Sequence, residues 1–256
     1  MMKFKVFLLC LASLASSHAY AAADLKAISC LYEIKAEAYR FARLRQQIPL
    51  AKNDTGQLNK LKSQMKASTQ ELMLNLQESK PGLVQLNMQN QHKRLDDGIS
   101  EFLSTSATSD NKSAAELDEK RIHLVKLANE IEQQMLQKSP NPSASGIGLI
   151  GSAKVNVERM VYDFVTCDKN CAELLPLEVA TIEKNVEAMH TSLTKYFKKS
   201  SYDLAKNQIL LFKLSVASRL KGAVSESERN NLVITSGHLW EIIDEVLDSY
   251  TEKAGN

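Results

Sequence analysis

The sequence predicts an all-α protein of about eight helices, built as two tandem four-helix-bundle modules that follow a cleaved signal peptide. Apolar residues recur at helical spacing along most of the chain, whereas strand-like alternation is nearly absent. Glycine and proline number only nine and five in 256 residues. A single stretch rich in proline, serine and glycine, residues 139–151, separates two halves of similar plan and is predicted to be a linker.

The N-terminus has the parts of a secretory signal peptide. Lys3 and Lys5 precede an apolar run at positions 6–14, and small residues follow up to Ala21. We expect cleavage after Ala21, so that residues 1–21 are removed and the mature chain is periplasmic or secreted. The apolar run is too short for a permanent span, and no later segment approaches the roughly 18 apolar residues that a spanning helix needs. No transmembrane segment is therefore expected.

Charge is balanced over the chain. There are 32 basic and 30 acidic residues, and the signal peptide carries two lysines and no acid. The mature chain is therefore close to neutral. This balance argues against non-specific nucleic-acid binding and against a polybasic membrane patch, because both need a basic excess.

The first module, residues 24–138, is expected to contain four helices. Their predicted ranges are about 24–47, 56–80, 83–105 and 114–138. Pro81 and Gly82 are predicted to end the second helix. Ser113 and Glu116 have the spacing of a capping box, in which each side chain bonds an unpaired amide at the start of the fourth helix.

The second module, residues 152–254, repeats the plan. Its helices are expected over about 152–166, from about Pro176, from a cap at Ser201, and from a capping box of Ser225 with Glu228. Before it, the stretch SGIGLIG matches G-x-G-x-x-G, the dinucleotide-binding motif. No strand precedes it and no alternating strands and helices follow, so we expect these glycines to serve chain reversal and close helix packing.

Three cysteines remain after the predicted cleavage: Cys30, Cys167 and Cys171. In an oxidising compartment an odd number leaves one thiol after one disulfide has formed. The Cys167–Cys171 pair is favoured, because a turn between two helices would bring its ends within reach. A bridge from Cys30 to one of the other two is the alternative.

The opening helices of the two modules align without gaps. The segment LYEIKAEAYRF, Leu31–Phe41, lies over IGSAKVNVERM, Ile150–Met160, and the basic residues coincide. Lys35 aligns with Lys154, and Arg40 aligns with Arg159. This agreement, at the same place in a repeated plan, indicates a duplicated module.

The segment Gly151–Met160 resembles the G-x-x-R-M-x-x-Q-R-M signature that opens the helical sensor domain of the type IV pilus chemotaxis transducer (PilJ-type) family. Arg159 and Met160 match the signature, and Lys154 stands in the place of its first arginine. The first module departs from it, with Tyr32 where the signature has glycine. The resemblance implies a free-standing exported module that binds a ligand or senses one.

The candidate ligand-binding residues are four cations, Lys154, Arg159, Lys35 and Arg40. Cations near a helix start can hold a small anion through charge-assisted hydrogen bonds and the helix dipole. Alternatively, they are solvated surface charges paired with Glu158 or other acids.

No catalytic motif is present, so we expect no enzyme activity, no cofactor and no metal site. His238 and Glu241 have a spacing that metal sites use, but no second helix offers a matching pair. Trp240 either rims a ligand pocket or is half-buried beside a neighbouring helix. The expected function is an exported module with a small anionic ligand, compatible with a homodimer. The alternative is a structural or adaptor protein that binds another envelope or secreted protein.

Overall fold

The computed structural model describes residues 2–51, 53–105, 111–139, 141–167, 171–222 and 225–254, with the side chains of all of these except residues 2–22, 111, 112, 253 and 254. Eight α-helices and one short 3-10 helix make up these ranges, and no strand occurs in them. The predicted all-α fold of about eight helices is therefore confirmed.

The helix bounds are α1 (Met2–Gln47), α2 (Thr55–Gln85), α3 (Gln89–Ser104), α4 (Asn111–Lys138), α5 (Ala144–Thr166), α6 (Cys171–Ser192), α7 (Lys199–Arg219) and α8 (Glu226–Ala254). The 3-10 helix, Ile48–Ala51, follows α1. Within the described ranges, no helix combines the length and the apolar character that crossing a membrane would require.

The helices pack as two rings that share one long contact. Helix α1 packs against α2 and α4, and α3 packs against α2 and α4, which closes the first ring. Helix α5 packs against α6 and α8, and α7 packs against the same two helices, which closes the second. Helix α1 also packs along α5, so the two rings meet at the helices that align in the predicted repeat.

One continuous core joins the two rings. Its buried side chains come from all eight helices and include Phe102 of α3, Phe164 of α5 and Phe212 of α7. Apolar burial contributes roughly 1.5–3 kcal/mol per large side chain, so a core of this extent is the main source of stability. A small satellite cluster of Leu44, Ala51 and Leu61 packs where α1 meets α2.

The prediction that Pro81 and Gly82 end the second helix is wrong, because α2 continues to Gln85. The added Cβ of any other residue at position 82 would run into Ala23 and Ala27 of α1. Glycine therefore lets the two helices approach closely, and this packing continues the helix past the proline. The chain reverses instead at Asn87, whose φ of 55° is in the left-handed region that asparagine tolerates.

Several predicted helix starts are corrected. Helix α4 begins at Asn111, α5 at Ala144, α6 at Cys171 and α7 at Lys199, so Ser113, Pro176 and Ser201 lie inside their helices rather than at the start. The capping box of Ser225 with Glu228 is confirmed. Ser225 N–H donates to Glu228 Oε2 at 2.8 Å, and Glu228 N–H donates to Ser225 Oγ at 3.2 Å.

The glycines of SGIGLIG lie within α5 and not in a turn before it, which corrects the predicted linker bound of residue 151. A Cβ at Gly146 would overlap the ring of Tyr250, and one at Gly151 would overlap the ring of Tyr32. Gly146 and Gly151 therefore allow close packing against these two tyrosines, which a larger residue would prevent.

The Sγ atoms of Cys167 and Cys171 are at disulfide-bonding distance, with their Cα atoms 5.9 Å apart. Residues 168–170, predicted to form the turn between them, lie outside the described residues. Cys30 is buried and carries a free thiol. The alternative bridge from Cys30 is therefore not formed.

Candidate functional site

A layer of charged side chains crosses the junction of α1, α5 and α8. We call it the charged layer. Its charged members are Glu33, Glu37, Arg40 and Arg43 on α1, Lys154 and Glu158 on α5, and Asp244 on α8, and the indole of Trp240 on α8 packs among them. Spacings of three and four residues put each set on one face of its helix. The polar faces of α1, α5 and α8 therefore meet inside the protein, where helices usually pack through apolar side chains.

Lys154 joins all three helices. Its Nζ donates to Asp244 Oδ1 of α8 at 2.6 Å and also to Glu33 Oε1 of α1. Only 3% of Lys154 is exposed. A buried ammonium requires such partners, because an unpaired charge away from water is costly.

Trp240 lies between two cations of the charged layer. The Arg40 guanidinium carbon and the Lys154 Nζ are each 4.1 Å from the centre of an indole ring. Both distances fall within the range of cation–π attraction. Trp240 is half-buried, which is the second of the two alternatives that the sequence left open for it, and its indole contacts both Arg40 and Lys154.

The two arginines of α1 share the carboxylate of Glu158. Arg40 donates to Glu158 Oε1 from Nε and Nη2, at 3.2 and 3.1 Å, and from Nη1 to Glu37 Oε1 at 2.6 Å. Arg43 Nη2 lies 3.5 Å from Glu158 Oε2. Ser68 of α2 donates its hydroxyl to Glu37 Oε2 at 2.6 Å. Three helices, α1, α2 and α5, thus contribute to one network of hydrogen bonds and ion pairs with α1 at its centre.

Beside this network lies a cavity of about 250 Å³ between α1, α2, α5 and α8. The polar and charged residues that line it are Arg40, Arg43, Gln64, Ser68, Glu71, Glu158 and Ser236. Gln64 and Glu71 are exposed at its mouth, whereas Arg43 and Glu158 are buried. Among the described residues, nothing accepts a hydrogen bond from Arg43 Nε, and nothing donates one to Glu158 Oε2.

Burial shifts the proton equilibria of the charged layer. It raises the pKa of Glu37 to about 7, against the opposing effects of Arg40 and the Ser68 hydroxyl. Burial also raises the pKa of Glu33, although Lys154 opposes that shift. Desolvation lowers the pKa of Arg43, opposed by Glu158. A pKa of about 7 means that the charge of Glu37 changes near neutral pH.

The four sequence-predicted cations have different surroundings. Arg40 lines the cavity, whereas Lys154 is not among its lining residues and contacts the indole of Trp240. Lys35 faces α4, where its Nζ donates to Asn129 Oδ1 at 2.9 Å and to Glu132. Arg159 faces α6 and donates to Glu178 Oε1 at 2.7 Å. All four are ion-paired, and Lys35 and Lys154 are buried rather than solvated.

Arg159 belongs to a separate acidic pair. Glu178 is buried beside Asp163, and its pKa is raised by burial and then by the hydrogen bond to Asp163. The nearby charge of Asp163 also favours the protonated form of Glu178, and Arg159 opposes this shift. We assign this cluster to the contact between α5 and α6.

Sequence reasoning missed Arg43 as a site residue and considered Glu158 only as a partner of other cations. A signal for both exists, since Arg43 follows Arg40 by three residues and Glu158 follows Lys154 by four. In the described part of the chain, no group of three or more histidine, cysteine, aspartate or glutamate side chains is arranged to hold a metal ion.

Comparison with known proteins finds no matching family model, no matching curated protein and no matching solved structure. The resemblance of Gly151–Met160 to the PilJ-type signature stays a prediction.

Proposed function

We propose that the protein is an exported, non-enzymatic ligand-binding module, and that its ligand is a small zwitterion of the size of an amino acid, held in the cavity beside the charged layer. The observation that carries the proposal is the presence there of a buried cation and a buried anion, Arg43 and Glu158, which are ion-paired at 3.5 Å but leave Arg43 Nε and Glu158 Oε2 without a hydrogen-bond partner in the described structure. Such groups are costly in a folded protein, and a ligand that pairs with them offsets that cost.

The charge of the cavity favours a zwitterion over the small anion that the sequence suggested. Its charged lining consists of Arg40 and Arg43 against Glu71 and Glu158, which sum to zero when all are ionised. A lone anion would gain from the arginines but would be repelled by the carboxylates. A ligand with both an acidic and an amino group can pair its carboxylate with a guanidinium and its ammonium with a glutamate.

The size of the cavity agrees with a ligand of this class. At about 250 Å³ the cavity is smaller than the roughly 300–1,000 Å³ of pockets for drug-sized molecules. Its remaining lining includes Leu44, Ala67 and Val233, which offer apolar surface to a short side chain.

Binding can be transmitted to helix packing through Arg40. This residue lines the cavity, pairs with Glu37 and Glu158, and lies over Trp240. A carboxylate that draws Arg40 toward the cavity would weaken its contact with Trp240 and hence the link to Lys154. Packed helices switch between discrete arrangements, so such a change would alter how α1 meets α5 and α8. A sensory role of the PilJ type, implied by the resemblance, needs a coupling of this kind.

Fluorescence of Trp240 tests the proposal directly, because it is the single tryptophan of the chain. Purified protein is titrated with a panel of amino acids, small carboxylates and neutral polar compounds. We expect a saturable change with a zwitterion and a matching rise in melting temperature, because a ligand that binds only the folded state stabilises it. A panel without any saturable response would contradict the proposal.

Variants then locate the site. Arg43→Gln removes the buried cation, and Ala67→Phe fills the cavity from an exposed lining position without changing a charge. We expect each to weaken binding at least about tenfold, as loss of one charged hydrogen bond or of the space itself would. Arg94→Gln, at an exposed arginine of α3 paired with Glu130, is the matched control and should bind like the parent. Equal affinity in folded Ala67→Phe would argue against this cavity.

Export is tested by the N-terminus of the protein. We expect mass spectrometry of protein collected outside the cytoplasm to find a chain that begins at Ala22, after cleavage behind Ala21. Uncleaved chain confined to the cytoplasm would contradict this part of the proposal.

A further inference from the structure

The outer face of α7 carries four exposed leucines, which lie among the exposed polar residues Asp203, Asn207 and Ser218. Leu204, Leu210, Leu211 and Leu214 are 53%, 55%, 45% and 59% exposed. The opposite face of the same helix carries the buried stripe Ala205, Ile209, Phe212 and Val216, which packs into the core between α6 and α8. At 100° per residue, the four leucines fall on the side turned away from that stripe. Most surface helices have a single apolar stripe, so a second one calls for a further contact.

The same segment holds a local excess of positive charge. Residues 195–221 contain six lysines and Arg219 but a single acid, Asp203, in a chain whose totals are 32 basic and 30 acidic residues. All six lysines are exposed: Lys195, Lys198, Lys199, Lys206, Lys213 and Lys221. The neutrality of the whole chain therefore conceals a local basic excess, with Lys199, Lys206 and Lys213 along one edge of the leucines of α7 and the other lysines beyond the ends of the helix.

Two contacts on α6 moderate this charge. Lys213 pairs with Glu183 at 2.8 Å, and both side chains are almost half exposed. Lys206 lies near the ring of Tyr202, whose hydroxyl donates to Glu187. Exposed pairs of this type hold together weakly, so these lysines remain available to another anion.

The residues on the outer face of α7 indicate which kind of partner this face binds. A second copy of the chain would bring two basic patches together, which like-charge repulsion opposes. Protein interfaces are enriched in aromatic residues and arginine and depleted in lysine, whereas here exposed leucines are flanked by lysines. Leucines beside lysines are typical of helices that lie in the interface of an anionic membrane, where the ammonium groups reach the phosphates.

We propose that α7 is a membrane-surface docking helix that binds anionic phospholipid bilayers. Leu204, Leu210, Leu211 and Leu214 enter the boundary between headgroups and acyl chains, and the neighbouring lysines contact lipid phosphates. The apolar surface continues into a groove of about 370 Å³ between α6 and α7, lined by Val179, Val216 and Leu220 among others. The site is independent of the cavity beside the charged layer, so either proposal can fail alone.

Vesicle co-sedimentation tests the proposal with the protein in its exported form. We expect binding to vesicles that contain phosphatidylglycerol to be at least about tenfold tighter than binding to phosphatidylcholine alone, given about fivefold per lysine near an anionic surface. Raising the salt concentration should weaken binding, because charges at a surface are screened.

Variants separate the leucines from the lysines. The double change Leu211→Asp with Leu214→Asp should reduce binding at least about tenfold, and Lys206→Gln should reduce it by about fivefold. Ile122→Asp, at a 53% exposed isoleucine of α4, is the matched control and should bind like the parent. Absence of vesicle binding, equal binding to neutral vesicles, or unchanged binding by the double variant would overturn the proposal. Capture of an acidic protein by this face without any vesicle binding would also overturn it.

Discussion

The ring of Tyr32 on α1 packs directly against Gly151 on α5, in the space that a Cβ at position 151 would occupy. These two positions are equivalent in the predicted repeat, since Leu31–Phe41 aligns with Ile150–Met160. The tyrosine of α1 therefore fills the space that the glycine of α5 leaves open. The contact allows α1 and α5 to approach closely enough for the charged layer to form.

Gly151→Ala should destabilise the protein. The added methyl group collides with the Tyr32 ring, and overpacking of this kind costs about 1–3 kcal/mol, more than the helix propensity that alanine gains. Unfolding in denaturant, followed by circular dichroism, measures the change.

Gly237→Ala is the control for that substitution. Gly237 lies within α8, and an added Cβ meets nothing within 4 Å. We expect a gain of about 0.5–1 kcal/mol from helix propensity alone. If both glycine variants shifted stability in the same direction, steric contact at Gly151 would not be the cause.

Lys154→Met should lower the free energy of unfolding by about 2–4 kcal/mol. The change removes the buried ammonium and leaves Glu33 and Asp244 without their cation, and breaking a buried pair in this way is strongly destabilising. Lys213→Met breaks the exposed pair with Glu183 and should cost less than about 1 kcal/mol. If both substitutions lowered the free energy of unfolding equally, the buried ion pairs of Lys154 would contribute no more to stability than the exposed pair of Lys213.

Stability should fall as the pH rises through the range of Glu37. The pKa of this group is about 7 in the folded protein, mainly because of burial, against an ordinary value of 4.5. The folded state thus binds the proton more tightly, so its contribution to stability is full below about pH 4.5 and is lost as pH rises to about 7. The difference amounts to about 3 kcal/mol.

Glu37→Gln cannot ionise, so its stability relative to the parent should increase with pH over that range. Denaturant unfolding at a series of pH values measures both curves. Glu33 and Glu178 also have raised pKa values and add a slope of the same sign to both proteins. Parallel curves for parent and variant would exclude Glu37 as a source of the dependence.

If the chain is cleaved after Ala21 as proposed, which removes Cys10, the protein should show no reactive thiol until it unfolds. Cys167 and Cys171 are paired, and Cys30 is buried with its pKa raised to about 12, chiefly by burial. Reaction with a thiolate-specific reagent needs both exposure and deprotonation. We expect one thiol to react in denaturant and three after reduction, counted by absorbance. Cys30→Ser should show none in denaturant without reductant, and a thiol there would contradict the pairing.

The sequence by itself determined the helices and the features that depend on neighbouring residues. Apolar spacing predicted eight helices, the Ser225–Glu228 pair predicted the start of α8, and proximity predicted the Cys167–Cys171 pair. Each of these depends on interactions over a few residues, which a sequence displays directly.

The tertiary structure decided which charges meet. Arg40 and Glu158 are 118 residues apart in sequence, and their contact exists because α1 packs along α5. Packing between distant parts of the chain also explains why α2 continues past Pro81. Gly82 lets α2 pack closely against α1, and local sequence does not reveal this contact. All four cations predicted from the sequence form ion pairs, but of these four only Arg40 lines the cavity. The partner of a side chain is set by the faces that the core brings together, and no local pattern encodes that arrangement.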